Sequence, residues 1–250
     1  MIHLKTPAEI KIMQEGGAIL RKVVDELMPM VKPGITTEYI DKKAVELITK
    51  CGGEVSFNKV PGYKWATCVP VNEQIVHTPP SKKVLKEEDV LTVDIGVFYK
   101  GFHTDYADTV VVGGTENKET LTFLEVGKKT LDLAIAKAVN GHYIGEISEI
   151  IEKEIYGHKY HILRELTGHG VGHDLHEDPF VPGFLDRPIN KTYKMRPGLV
   201  IAIEIIYSMG SEDIAYESSN RWSIITKDRS LSACFEKTVA ITNENTCILT

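Results

Sequence analysis

Apolar and small residues recur near the start of this chain at three- and four-residue intervals: Ile10, Met13, Gly17, Leu20, Val24 and Leu27. That spacing puts them on one face of a helix. Thr6-Pro7-Ala8-Glu9 stands just ahead, a capping box with proline at the first helical position, and Pro33-Gly34 ends the segment. A second helix, capped by Thr36 or Thr37, carries Ile40, Ala44, Leu47 and Ile48 before Gly52-Gly53 stops it. The period then shortens. Residues 54–57 and 67–71 read as strands, and 76–80 (Val-His-Thr-Pro-Pro) must be extended or turning, because a residue before proline is kept out of the helical region.

The densest β signal is 90–112, VLTVDIGVFYKGFHTDYADTVVV. Two β-rich runs, 90–97 and 102–112, flank 98–101, which predicts a four-residue hairpin loop. With Val97 paired to Phe102, Asp94 falls directly opposite Asp105. Like charges facing each other at Cβ separations of about 4.5–5.5 Å destabilise a hairpin. Their face is shared with Thr92, Gly96 and Ala107, so solvent is a poor explanation and a positive ion between them a better one.

Further along, 118–139 reads as a third helix, broken by Asn140-Gly141, and 147–156 as a fourth, ending near Gly157. A His/Gly-rich stretch at 168–178 follows, then a proline-punctuated loop to Pro197-Gly198 and a second β region from 199 to 250. Helix, turn, helix, strands thus occurs twice. The β halves echo each other, Leu-Thr-Val-Asp94-Ile against Ile-Ala-Ile-Glu204-Ile and Asp108-Thr-Val-Val against Glu236-Lys-Thr-Val. The repeat predicts one pseudo-symmetric α+β domain over 1–250, with helices on one side of a mostly antiparallel sheet.

Glu204 lies inside an apolar strand, where an unpaired carboxylate is costly to bury, and Glu236 lies in another. With Asp94 and Asp105 they make four acids on strands. Any one of them alone is equally well read as facing water; four at echoing positions favour a shared site. The run Gly168-His169-Gly170-Val171-Gly172-His173-Asp174-Leu175-His176-Glu177 supplies imidazoles. As a phosphate loop it fits G-x-G-x-G, not G-x-G-x-x-G, and it lacks the lysine of a P-loop. His169 is the better candidate ligand, since neutral imidazole completes an oxygen-rich site for Mn, Fe, Co or Zn. His173 is as readily solvated, and His103 and His158 are expected at the surface. No G-x-S-x-G or local cysteine signature offers a rival nucleophile.

Composition narrows the partners. The net charge of −6, with neither sign in a long run, gives no electrostatic footprint for nucleic acid. The four cysteines, at 51, 68, 234 and 247, form no C-x-x-C pair and read as reduced thiols of a cytoplasmic protein. The N-terminus has no apolar signal-peptide core, and no run approaches the ~18 apolar residues of a membrane span.

The motifs VNEQIVH (71–77), VDIGVFYKGFHTDYADT (93–109), GHGVGHDLHEDP (168–179) and TKDRSLSACFEKTVAIT (226–242) together resemble those of type I methionine aminopeptidases, which are pita-bread metallopeptidases. The resemblance covers essentially the whole chain. It implies the pita-bread (creatinase/aminopeptidase) fold and two divalent metal ions (Co, Mn, Fe or Zn). Asp94 would chelate one ion, Asp105 and Glu236 would bridge both, and His169 and Glu204 would complete the second site. A bridging hydroxide would attack the scissile carbonyl, with Glu204 as proton shuttle. His176 would hydrogen-bond the substrate carbonyl or amide, and His77 would assist from the opposite wall. Tyr63, Cys68, His77, Leu175, His176 and Trp222 would bind substrate. The implied activity is removal of initiator methionine from nascent chains with a small second residue, near the ribosome, by a monomer.

The chain departs from that family in places. Ile205 follows Glu204 where many relatives have proline, and Lys237 follows Glu236 where histidine is usual. His77-Thr78-Pro79-Pro80 replaces His-Gly-x-Pro, and Phe57 and Leu175 occupy pocket positions where relatives often carry cysteine and phenylalanine. A proline-directed aminopeptidase or dipeptidase of the same fold, and a non-catalytic binding module built on it, are the alternatives.

Overall fold

The computed structural model describes residues 2–218 and 220–250; Met1 and Ser219, which the single-domain expectation for 1–250 includes, lie outside the described residues. Helix α1 (Pro7–Leu27) begins as its cap predicts: the Glu9 N–H donates to Thr6 Oγ1 at 3.3 Å and the Thr6 N–H donates to Glu9 Oε2 at 2.7 Å. Helix α2 (Thr37–Lys50) is capped by Thr36, and α3 (Lys118–Lys137) by Asn117. Helix α4 spans Ile144–Gly157 and so starts three residues before the expected 147. Tyr143 is no capping residue by type, but its N–H donates to Glu146 Oε1 at 3.0 Å, which supplies the missing acceptor.

The strands are β1 (Glu54–Val55), β2 (Thr67–Cys68), β3 (Gln74–Val76), β4 (Val90–Tyr99), β5 (Phe102–Val111), β6 (His161–Ile162), β7 (Thr167–Gly170), β8 (Glu177–Pro182), β9 (Val200–Ser208), β10 (Ile214–Tyr216), β11 (Ile224–Thr226), β12 (Ser232–Ile241) and β13 (Thr246–Ile248). Strand β1 is shorter than the expected 54–57, because Phe57–Lys59 turns into a 3-10 helix. The main sheet runs β1-β4-β5-β12-β9-β7-β8, with β2 on β4, β6 on β9 and β13 on β12; β10-β11-β3 form a small second sheet. Every strand pairing among the described residues is antiparallel.

Alternation along the strands sorts the two faces. Leu91, Val93, Ile95 and Val97 of β4 pack in one core with Leu20 and Leu27 of α1 and Ile40 of α2. Ile201, Ile203, Ile205 and Tyr207 of β9 pack in another with Phe123 of α3 and Ile147 and Ile151 of α4. Each half therefore owns a helical layer and a core, and both layers cover the same face. Sheet and helices agree with the α+β, pita-bread expectation. Ile205 is wholly buried in the α3/α4 core, so this departure serves packing on the face away from Glu204.

The hairpin register differs from the expected one. Tyr99 pairs with Phe102, so Asp94 faces Ala107 and Asp105 faces Gly96. The loop is two residues, Lys100 (φ +47°) and Gly101 (φ +93°), both left-handed as a type I′ turn requires. The slip amounts to two residues in the pairing sum. Because side chains alternate with period two, Asp94 and Asp105 keep their common face and become diagonal neighbours. His103 is also not a surface residue. It is buried against Phe98, with Nδ1 2.7 Å from Ser56 Oγ.

Candidate metal centre

On the face turned away from the helices, two rows of side chains run across the sheet. In the first, Cys68 of β2 pairs with Asp94 of β4, Asp94 with Ala107 of β5, Ala107 with Glu236 of β12, and Glu236 with Glu204 of β9. The second row lies two residues along, about 7 Å at a strand's rise per residue. There Gly96 pairs with Asp105, Thr238 with Ala202, and Ala202 with His169 of β7. Asp105 and Thr238 are joined through the threonine hydroxyl, which accepts the Asp105 N–H at 2.9 Å and donates to the Asp105 carbonyl at 2.9 Å. Cysteine, alanine, glycine and threonine fill the other places in these rows, so the long acidic side chains converge over small neighbours.

The predicted ligands therefore meet. Nε2 of His169 lies 3.3 Å from Glu204 Oε1 and 3.9 Å from Asp105 Oδ2. One ligand atom each from Asp105, His169 and Glu236 falls within 4.8 Å of the others. The His169 ring is held by its other nitrogen, Nδ1, which donates to the Gly170 carbonyl at 2.9 Å. That leaves an unprotonated Nε2 aimed at the carboxylates, the tautomer a metal needs.

Electrostatics make the same point. Burial, then repulsion from Asp105, pushes the Glu204 carboxyl well above the ordinary range; Glu236 and Asp94 are raised for the same two reasons. Asp105 is raised by burial to about 7. Burial, then the neighbouring His176, lowers His169 to about 3. Glu236 Oε1 is buried with no hydrogen-bond partner in the protein. Four acids and a neutral imidazole are an ill-matched set for one another and a well-matched one for divalent cations.

All the predicted pocket residues line the same cavity, of about 130 Å³. This is below the ~300 Å³ of sites for drug-sized ligands, and suits one side chain rather than a nucleotide. Its apolar end is built from Phe57, Val60, Tyr63, Leu175 and Trp222, with the Cys68 thiol between them and Asp94. Tyr63 stands edge-on to Trp222 with centroids 5.1 Å apart. His77, at φ +55° where β3 ends, and His176, edge-on to His169 at 4.4 Å, are exposed at the mouth. Val60 and Val76 also line the cavity, and no local signal marks them in the sequence.

The glycines of 168–172 serve strand packing. A Cβ on Gly168 would lie 2.5 Å from the Ala202 carbonyl oxygen of β9, and one on Gly170 2.3 Å from that of Asp178 in β8. A Cβ on Gly172 would meet Lys5 and Glu177, whose ion pair (2.5 Å) ties the N-terminal segment to the residue after His176. Lys237, on the opposite face from Glu236, pairs with Tyr106 and lines clefts with Asp108 and Arg21. Asp108, the echo of Glu236, also faces that side, 3.5 Å from Lys128, so the echo misaligns the ligand in that strand; Asp105 is the acid on the site face. A larger cavity of about 540 Å³ lies between α4 and β8, lined by three basic and three acidic side chains, of which Asp186 and Arg187 form an ion pair.

The comparisons with known proteins agree with this geometry. The model for metallopeptidase family M24 matches residues 11–243. Methionine aminopeptidase 1 of Bacillus subtilis is 38% identical over 250 residues, covering 100% of this chain and 99% of that one. The crystal structure of a methionine aminopeptidase from Thermotoga maritima superposes with a TM-score of 0.95 at 34% identity, covering 100% and 99%. Prolidase from Pyrococcus furiosus shares the fold, with a TM-score of 0.77 at 22% identity, and this chain covers 65% of its length. Matched along nearly its whole length by the family model and end to end by relatives of one kind, the chain belongs to metallopeptidase family M24, among the methionine aminopeptidases.

Proposed function

We infer that this chain is a metal-dependent exopeptidase that removes the N-terminal methionine from nascent proteins whose second residue is small. The observation that carries the reading is the convergence of Asp94, Asp105, His169, Glu204 and Glu236 at one end of a small cavity whose other end is apolar. A free amino terminus and one thioether side chain fit such a cavity; a longer chain has to leave through its mouth. The whole chain acts as one catalytic domain, a monomer in the cytoplasm working near the ribosome.

In this reading Asp94, Asp105, His169, Glu204 and Glu236 would hold two divalent cations. Bound there, the cations would supply Lewis acidity and would acidify a water into the neutral range. The protein's own groups do the rest. Glu204, with a carboxyl raised by burial and by Asp105, takes a proton from the attacking water and returns it to the leaving amine as the C–N bond breaks. His176 donates a hydrogen bond to the substrate carbonyl, and His77 assists from the other wall. Tyr63, Cys68, Leu175 and Trp222 exclude water from the methionine side chain.

The test is an assay of chelator-stripped protein on Met-Ala-Ser, Leu-Ala-Ser and Ala-Pro-Ser after adding Mn, Fe, Co or Zn. Metal-dependent release of methionine alone is expected. Cleavage of the proline peptide instead would move the chain to the prolidase-like activities. No cleavage, in protein that binds two ions, would favour a binding module.

A further inference from the structure

Helix α2 sends one acidic side chain inward. Asp41 lies on the same stripe as Ala44 and Ile48, at helical spacings of three and seven, and is buried with them. A single oxygen, Oδ1, accepts three hydrogen bonds: from the Ala66 N–H at 2.8 Å, the Thr67 N–H at 3.0 Å and the Thr67 hydroxyl at 3.0 Å. The Thr67 carbonyl in turn accepts the Tyr63 hydroxyl at 2.8 Å. Tyr63 holds its ring edge-on between Trp65 and Trp222, each 5.1 Å away. The residue after Thr67 is Cys68, paired with Asp94.

A buried carboxylate is an expensive group to place in a helix face that could have carried an apolar residue. Asp41 touches neither the cavity nor the ligands, so the reaction gives it no role. Its three donors all belong to the short segment that forms one wall of the apolar pocket. Charge-assisted bonds are stronger than neutral ones, and removing the acceptor leaves buried N–H groups unpaired. The segment would then relax, taking the Tyr63 anchor and the Cys68 thiol with it.

We propose that Asp41 is a positioning residue for side-chain selection: through Thr67 it fixes Tyr63 and Cys68, and so sets how closely the pocket fits methionine. This deepens the proposed function and rests on it. A purely structural anchor would lower stability and total activity without altering which side chain is preferred.

The experiment compares metal-loaded wild type, Asp41→Ala and Asp41→Asn on Met-Ala-Ser and Leu-Ala-Ser. Asp41→Ala should raise KM for Met-Ala-Ser about tenfold with kcat within about threefold, and should narrow the Met/Leu ratio of kcat/KM by about tenfold, the scale of a lost apolar fit. Asp41→Asn, which keeps an acceptor oxygen, should recover most of both. Binding of L-methionine, followed by the fluorescence of Trp65 and Trp222, should weaken about tenfold in Asp41→Ala and little in Asp41→Asn. If Asp41→Ala fails to fold, Thr67→Val removes one donor and should move KM and the Met/Leu ratio in the same direction by about threefold. Unchanged KM and ratio in the folded variant, or a fall in kcat alone, would overturn the proposal. Wild type that releases no methionine from Met-Ala-Ser would instead overturn the proposed function, and the fluorescence comparison would still decide the role of Asp41.

Discussion

Glu236 and Glu204 stand directly opposite each other on neighbouring antiparallel strands, β12 and β9, with Ala107 and Asp94 continuing the same row. Two acids in facing positions with buried carboxyls make a pair that only a proton or a cation can hold together. Asp105, two residues along on the same face, adds a third acid to the pair.

Replacing Asp105 by asparagine nearly conserves volume while removing one charge and one ligand. Asp105→Asn should lower turnover more than about 100-fold, beyond the usual loss for an outer-shell partner, and shrink the melting shift produced by added metal. The metal-free variant should melt no lower than metal-free wild type. Steady-state kinetics and thermal melts with and without metal check this, and wild-type turnover at confirmed metal content would sink the site assignment.

Stripped of metal, the protein should become more stable as pH falls from about 8 towards 6.5. Asp105 is raised to about 7 in the fold against an unfolded value near 3.9, so the folded state binds the extra proton. Its contribution is therefore lost as pH rises through about 7. His169, lowered to about 3, acts the other way below its unfolded value of about 6.5, which bounds the window. With metal present the trend should reverse, because the ligands must be deprotonated. Urea midpoints across this range, with and without chelator, measure both slopes.

Thr238→Val removes the hydroxyl that closes the ladder between β12 and β5 beside Asp105. It leaves the Asp105 N–H without its acceptor in a buried position, which costs about 1–3 kcal/mol. A lower urea midpoint together with weaker metal binding by calorimetry is the expected pair of results.

Lys5 and Glu177 form an ion pair whose side chains are only 1% and 12% exposed. Lys5→Met should destabilise by about 3–5 kcal/mol, because Glu177 is left charged without its partner, while Lys5→Met combined with Glu177→Leu should be much milder. Denaturation of the two single variants and the double variant gives the coupling directly.

Local signals carried much of this protein. The capping box at Thr6 and Glu9, the helical stripe of α1 and the alternation in β4 and β5 each depend on residues a few positions apart, and each appears in the structure. Period two also kept Asp94 and Asp105 on one face through the two-residue slip of the hairpin, and the motifs around Asp94, Asp105, His169 and Glu236 brought in the family. What remained was decided by contacts distant in sequence. The hairpin register turned on Lys100 taking a left-handed conformation, which a lysine does not advertise. His103 is buried because the hairpin folds beneath 168–178 and its N–H donates to the Gly172 carbonyl. The glycines of that stretch answer to β8 and β9, and Asp41 to a loop 25 residues later. Sequence spacing reports which side chains share a face of one element. Which faces meet, and which buried polar group finds which partner, is settled only when the strands are paired and the helices laid across them.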